Sequence, residues 1–243
     1  MRRSILPRLA CGCLVLVSLQ GCLGAQGNDL PADEAFALSA SALSGSESYG
    51  LSGEVSVVDS KGFVANRMSY EGQVTGHNNV KVQWTNGNAK STSTRQVETS
   101  SYEPLDLLQS IKGKTSAIAY KPLSNRPDEV QFTIKLDDDV AKRRIADHLR
   151  KELTDLGQEK VLLQRKPDQS AKVLTQAKAT LEDVLGSLKV TTNCQWTANR
   201  RTWFPTQLQE NTLLQYKWKG KTYEEKRVSV TNFRAASGNG TIK

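Results

Sequence analysis

The side chains able to do chemistry in this sequence are few: four cysteines, two histidines and one run of three aspartates. His77 sits in a polar Gly-His-Asn-Asn stretch and His148 in a charged helical segment. They are too few and too separated for a zinc site, and each reads as a solvated surface histidine. Asp137, Asp138 and Asp139 lack the spaced ligands and glycine of a calcium loop, and they stand where a helix needs an N-cap. No Gly-x-Ser-x-Gly elbow, Ser-x-x-Lys pair, His-Glu-x-x-His motif or phosphate-cradling glycine loop occurs. The sequence therefore assigns no catalytic residue, no metal ligand and no cofactor. Cys194, beside Trp196 in an apolar alternation, reads as a small buried hydrophobe rather than a reactive thiol.

The other three cysteines, Cys11, Cys13 and Cys22, crowd into the N-terminal apolar run. Arg2, Arg3 and Arg8 form a charged start, Leu9 to Leu19 an apolar stretch, and Gly21 a small residue before a cut. Leu19-Gln20-Gly21-Cys22 resembles the lipobox of bacterial lipoproteins. The resemblance implies cleavage between Gly21 and Cys22 and a diacylglycerol on the Cys22 thiol, with palmitate among the acyl chains. The competing readings are an ordinary secretory signal with an incidental cysteine, or a short membrane anchor. The apolar run is well short of the ~20 residues needed to span a bilayer. The expected location is the extracytoplasmic face of the cell membrane, lipid-anchored.

Cleavage would remove 21 of 243 residues and leave 222, enough for one domain of generous size that buries a core without disulfides. The formal charge of +8 falls to +5 when Arg2, Arg3 and Arg8 leave with the leader. That excess suits an anionic membrane or wall polymer as neighbour and argues against nucleic acid as partner.

The elements follow from periodicity. Residues 22–31 read as a lipidated tether, and a first helix is expected from about Ala32 to Leu43 after Pro31. Strands with period-two alternation follow. Leu51 to Val57 turns at Asp59-Ser60-Lys61-Gly62, Val64 to Val74 turns at Gly76 to Asn79, and Val80 to Trp84 completes the meander. A polar edge strand over Lys90 to Glu98 and a short helix over Glu103 to Ile111 come next. Ile118 and Tyr120 mark one further strand, and Val130 to Leu136 another. The aspartates cap a helix to about Leu156, with Ile145, Leu149, Leu153 and Leu156 as its stripe and Gly157 as its stop. Its cations Lys142, Arg143, Arg144, Arg150 and Lys151 read as a solvated face, with anionic headgroups as the alternative. A second helix covers about Ser170 to Leu188, with Val173, Ala177, Leu181, Val184, Leu185 and Leu188 on its face. Val190 to Thr197, a turn at Asn199-Arg200-Arg201, Leu208 to Trp218, a turn at Lys219-Gly220-Lys221, and Tyr223 to Phe233 close the chain. The residues from 235 to 243 read as a flexible tail.

This order predicts an α+β fold: one long curved antiparallel sheet, a half-open β-barrel of seven to nine strands, with helices covering its concave face. The lipobox, the N-terminal helix, the meander and a Pro104-led helix together resemble the lipoprotein-carrier superfamily that includes LolA, LolB, LppX and RseB. Many lipoproteins of Gram-positive bacteria are similar. The segment from Trp203-Phe204-Pro205-Thr206 to Tyr216-Lys217-Trp218-Lys219-Gly220-Lys221-Thr222-Tyr223 carries most of the likeness. It implies one carrier-like domain over 32–234 with a concave apolar cavity, a binding role and no catalysis. Met68, Tyr70, Trp84, Phe132, Tyr216 and Trp218 are the candidate cavity lining for a lipid or lipidated ligand. The alternative is a structural or signalling accessory that docks a membrane or envelope protein.

Overall fold

The computed structural model describes residues 30–59, 61–77, 79–86, 111, 117–123, 126–158 and 167–236. The leader with Cys22, nearly all of the tether, the edge strand over Lys90 to Glu98 and the end of the tail lie outside the described residues. So does the short helix from Glu103, except Ile111, which is helical and buried.

Helix α1 (Ala32–Ser44) begins directly after Pro31, whose carbonyl accepts the Ala35 N–H at 3.0 Å. Ala35, Phe36, Ser39, Ala40 and Leu43 form its buried stripe. Strands β1 (Ser48–Asp59), β2 (Val64–Thr75) and β3 (Asn79–Asn86) make the first meander. The β1–β2 turn is held by Asp59, whose carboxylate accepts the Lys61 and Phe63 N–H groups, each at 2.9 Å. Strands β4 (Ala117–Lys121) and β5 (Glu129–Lys135) lead into α2 (Asp138–Gln158) and α3 (Pro167–Ser187). The Asp137 carboxylate accepts the N–H groups of Asp139 and Val140, so the acidic run is an N-cap. Strands β6 (Lys189–Asn199), β7 (Pro205–Trp218) and β8 (Lys221–Ala235) complete the chain.

All eight strands belong to one antiparallel sheet with the order β3-β2-β1-β8-β7-β6-β5-β4. Each neighbouring pair in the two meanders is consecutive in sequence, and one long-range seam, β1 against β8, joins the halves. Among the described residues the sheet is open, with β3 and β4 as its edges, so the expected half-closed barrel is an unclosed sheet there. One register row crosses every strand: Trp84, Tyr70, Gly53, Thr231, Leu208, Trp196, Phe132 and Tyr120. Side chains of one strand phase share a face, so this row fixes the inner face. At Gly53 a Cβ would overlap the Val230 carbonyl oxygen and the Tyr70 hydroxyl. Only glycine lets the Tyr70 side chain cross β1 to its bond with Thr231.

The helices pack on that inner face. α1 lies over β4 and β7, α2 over β6, and α3 over β7 and against α2. Phe36 of α1 meets the rings of Phe132 and Trp196 edge-on at 6.1 and 5.5 Å, and Ser39 accepts the Trp196 indole N–H at 2.8 Å. The outer face carries Gln131, Gln195, Gln207, Gln209, Asn211 and Asn232, the alternation expected of a sheet covered on one side.

Three expectations fail locally. α2 runs through Gly157 to Gln158 instead of stopping there, and Leu174 of α3 lies beside that glycine. The stripe over Ile145 to Leu156 buries only its first turns, through Ala141, Ile145 and Ala146, while Leu156 is exposed. Val173 is also exposed, and Leu185 and Leu188 carry the buried end of the α3 segment.

Candidate functional site

The inner face divides into zones set by strand phase. Under α1, on β5 and β6, it is filled. Phe132 and Trp196 are fully buried, with Phe233 5.7 Å from Trp196 and Tyr120 5.3 Å from Phe132. Phe132 is therefore a packed core residue.

The centre of the face is polar. The row beside the aromatic one reads Met68, Val55, Ser229, Glu210, Cys194, Ile134 and Ile118. Thr192, Thr212 and Arg227 follow on the next row. Glu210, whose side chain is 5% exposed, is reached from α2 by Arg144, 15% exposed, in a direct ion pair. Thr212 bonds both Glu210 and Thr192, each at 2.9 Å. Among the described residues the second Glu210 carboxylate oxygen and the Ser229 hydroxyl are buried without a hydrogen-bond partner. Arg144 is thus not part of a solvated basic face, because the helix rotation needed to bury Ala141 and Ile145 also turns it inward. Arg150, by contrast, forks onto Glu182 of α3 with both bonds at 2.8 Å, in the open.

Electrostatics follow from this burial. Desolvation pushes the Cys194 thiol up, the Glu210 charge adds to the rise, and Arg144 opposes it. The thiol stays protonated and inert. Burial also raises the Tyr70 hydroxyl to about 12, against the lowering effect of its bond to Thr231.

On the β1–β3 flank Tyr70 is buried and packs 4.8 Å from Trp84, while Trp84, Met68, Val82 and Val57 are half-buried. Tyr216 and Trp218 share the inner phase but lie far along β7, eight and ten residues from the aromatic row at Leu208. The six candidate lining residues therefore occupy three places: the filled core, the β1–β3 flank and the β7–β8 hairpin. A separate cleft of about 240 Å³ at the β4–β5 edge is lined by Tyr120, Lys121, Arg126, Glu129 and Arg200. His77 is exposed in its turn, whereas His148 is half-buried, with Nε2 3.1 Å from Glu152. Among the described residues no three His, Cys, Asp or Glu side chains gather as a metal site, and no helix is long and apolar enough to cross a membrane.

The polar centre was readable in part. The phase that places Leu208, Leu214 and Tyr216 inward also places Glu210 and Thr212 inward, and a carboxylate at such a position signals a buried partner. Nothing local identified that partner as Arg144.

No family model matches the sequence, and no curated protein matches it. Among solved structures the chain is similar to a LolA superfamily protein from Nitrosomonas europaea, at 8% identity over 86% of this chain and 96% of that one, with a TM-score of 0.23. It is similar also to an acyl-CoA thioesterase II from Mycobacterium marinum, at 11% identity over 84% of this chain and 91% of that one, with a TM-score of 0.16. Superpositions this loose carry no argument about fold or function.

Proposed function

We propose that this chain is a lipid-anchored extracytoplasmic protein that binds an apolar ligand, a lipid or an acyl chain, on the inner face of its sheet without catalysing a reaction. The anchor is the acyl group that the lipobox-like Leu19-Gln20-Gly21-Cys22 implies. The observation that carries the binding reading is the β1–β3 flank. Met68, Val57, Val82 and Trp84 face inward yet are only half-buried, whereas the β5–β6 half of the same face is fully packed. An apolar surface next to a few convergent polar groups is the usual make-up of a small-molecule site. Here the polar groups are Ser229 and Glu210.

Native mass spectrometry after gentle detergent extraction tests this. The expected result is a protein ion carrying one lipid mass beyond the covalent anchor, lost on Trp84→Asp. A lipid-free ion from every extraction would overturn the reading. It would favour the alternative, a structural or signalling accessory that docks a membrane or envelope protein. The edges β3 and β4, unpaired on their outer sides among the described residues, favour that second reading.

A further inference from the structure

The β7–β8 hairpin projects from the sheet. Its flanking strands stop early: β6 begins opposite Gln215, and β1 ends opposite Glu225. Residues 216 to 224 therefore extend past both neighbouring strands as a two-stranded ribbon, held at its base by the Ser187 hydroxyl, which accepts the Lys217 N–H at 2.9 Å; it is three to four residues long on each side, or about 10–13 Å at ~3.3 Å per residue. Lys219 and Gly220 turn it with φ of 49° and 75°, the pair of left-handed residues that a two-residue hairpin turn requires.

The ribbon is aromatic on one face. Tyr216 and Tyr223 stack across it with ring centres 5.6 Å apart at 14°, and Trp218 lies 6.0 Å from Tyr223. Trp218 is 39% exposed and Tyr223 37%. Tyr216 is half-buried against the core, but Trp218 and Tyr223 lie in water, where a two-stranded ribbon gains little from them. The charges between those rings are all of one sign: Lys217, Lys219 and Lys221, with no acid from Tyr216 to Tyr223. The Lys219 ammonium lies 4.8 Å over the Trp218 ring. The nearest acids are engaged, Glu224 with Gln215 and Glu225 with Arg227.

The neighbouring β1–β2 turn, at the same end of the sheet, repeats the composition. Phe63 is 68% exposed, Val64 is exposed beside it, and Lys61 flanks them. Asp59, the acid of that turn, is bent into its own loop by two backbone N–H groups.

We propose that this end of the sheet docks onto an anionic lipid bilayer, with the β7–β8 ribbon as the inserted element and the Phe63 turn as its second contact. Trp and Tyr rings prefer the headgroup level, and lysines carry their stems into the apolar layer while their ammonium groups reach lipid phosphates. The ribbon's projection of about 10–13 Å is long enough to reach the ~5–10 Å to which interfacial elements sink. This contact does not depend on a lipid at Cys22 or on an apolar ligand in the sheet.

The test uses the full chain with Cys22→Ser, so that no acyl group is present, and vesicles of phosphatidylcholine with or without phosphatidylglycerol. Some of the lipids carry bromine, which quenches nearby indoles. With phosphatidylglycerol present, tryptophan emission shifts to the blue and is quenched, and Trp218→Phe removes the quenched component. The leader contains no tryptophan, so its own adsorption does not contribute to that signal. Replacing Lys217, Lys219 and Lys221 with Gln weakens Trp218 quenching-detected partitioning by roughly a hundredfold, at ~1 kcal/mol for each lysine near an anionic surface, and replacement with Glu weakens it further. Quenching that survives Trp218→Phe unchanged would overturn the proposal. Trp218 quenching indifferent to the three charge reversals would do so too. A self-associating ribbon, seen as a dimer in sedimentation with Trp218 unquenched on vesicles, would assign the surface to a second copy of the chain instead.

Discussion

Arg144 and Glu210 meet where a helix crosses the middle of the sheet, and little water reaches either of them. Removing one partner of a buried pair strands the other, at a typical loss of about 3–5 kcal/mol. Glu210→Ala should lower the unfolding free energy by about that amount in urea titrations. The pair of changes Arg144→Met and Glu210→Leu should recover most of it, because a well-packed apolar pair needs no desolvation. The buried tyrosines set an alkaline limit. Tyr49 and Tyr70 have an ordinary value of 10.0, and burial raises both to about 12 in the fold. As the pH climbs, the unfolded chain gives up these protons first. Their contribution is whole below pH 10 and disappears between pH 10 and 12, at a cost on the order of 2 kcal/mol per tyrosine. Denaturation at stepped pH should show that decline, and Tyr70→Phe should make it shallower. A pH-independent midpoint across that range would contradict the assignment.

The elements show where local sequence suffices. Pro31 starts α1, Asp137 caps α2, and the turns at Asp59, Gly76 and Lys219 lie where the alternation breaks. Each is decided within about four residues, by a fixed φ, a side-chain acceptor or a left-handed position. Gly157 shows the limit of that logic. A glycine ends a helix only when the chain beyond gains by turning, and here the helix takes Gly157 in and runs to Gln158, with Leu174 of α3 beside the glycine. Gly53 shows the opposite: inside β1 it looks like a weak point, yet it is the gap through which Tyr70 reaches Thr231. Gly53→Ala should therefore cost about 1–3 kcal/mol, the range for forcing a methyl group into occupied space. Thermal unfolding that leaves the melting temperature unchanged would show that the gap is not needed.

The whole molecule rests on the seam between β1 and β8, which joins strands from opposite ends of the described chain into one sheet. The N-terminal entrance lies near β4, where the Tyr120 hydroxyl donates to the Leu30 carbonyl at 2.8 Å. The β7–β8 ribbon is ten residues of β7 beyond that row, about 33 Å at ~3.3 Å per residue. The anchoring half of this arrangement is checked by cell fractionation: Cys22→Ala should move most of the protein from the membrane to the soluble fraction. Retention that only high salt reverses would assign the remaining hold to the ribbon's lysines.

Among the described residues the amino-acid pattern alone sufficed for the helices and strands, their order and the phase of each strand, because these are set by spacings of two to four residues. It marked Tyr70, Trp84, Phe132, Tyr216 and Trp218 as inward-facing candidates by alternation. Tertiary structure decided which strands became neighbours, which inward positions were sealed by α1 and which were left half-buried. It also turned Arg144 from a surface cation into the partner of Glu210, and made the aromatic hairpin a projecting ribbon. Alternation specifies a face but names no partner across the sheet. Partners are chosen only when burial, register and the cover of the helices are satisfied together over the whole chain.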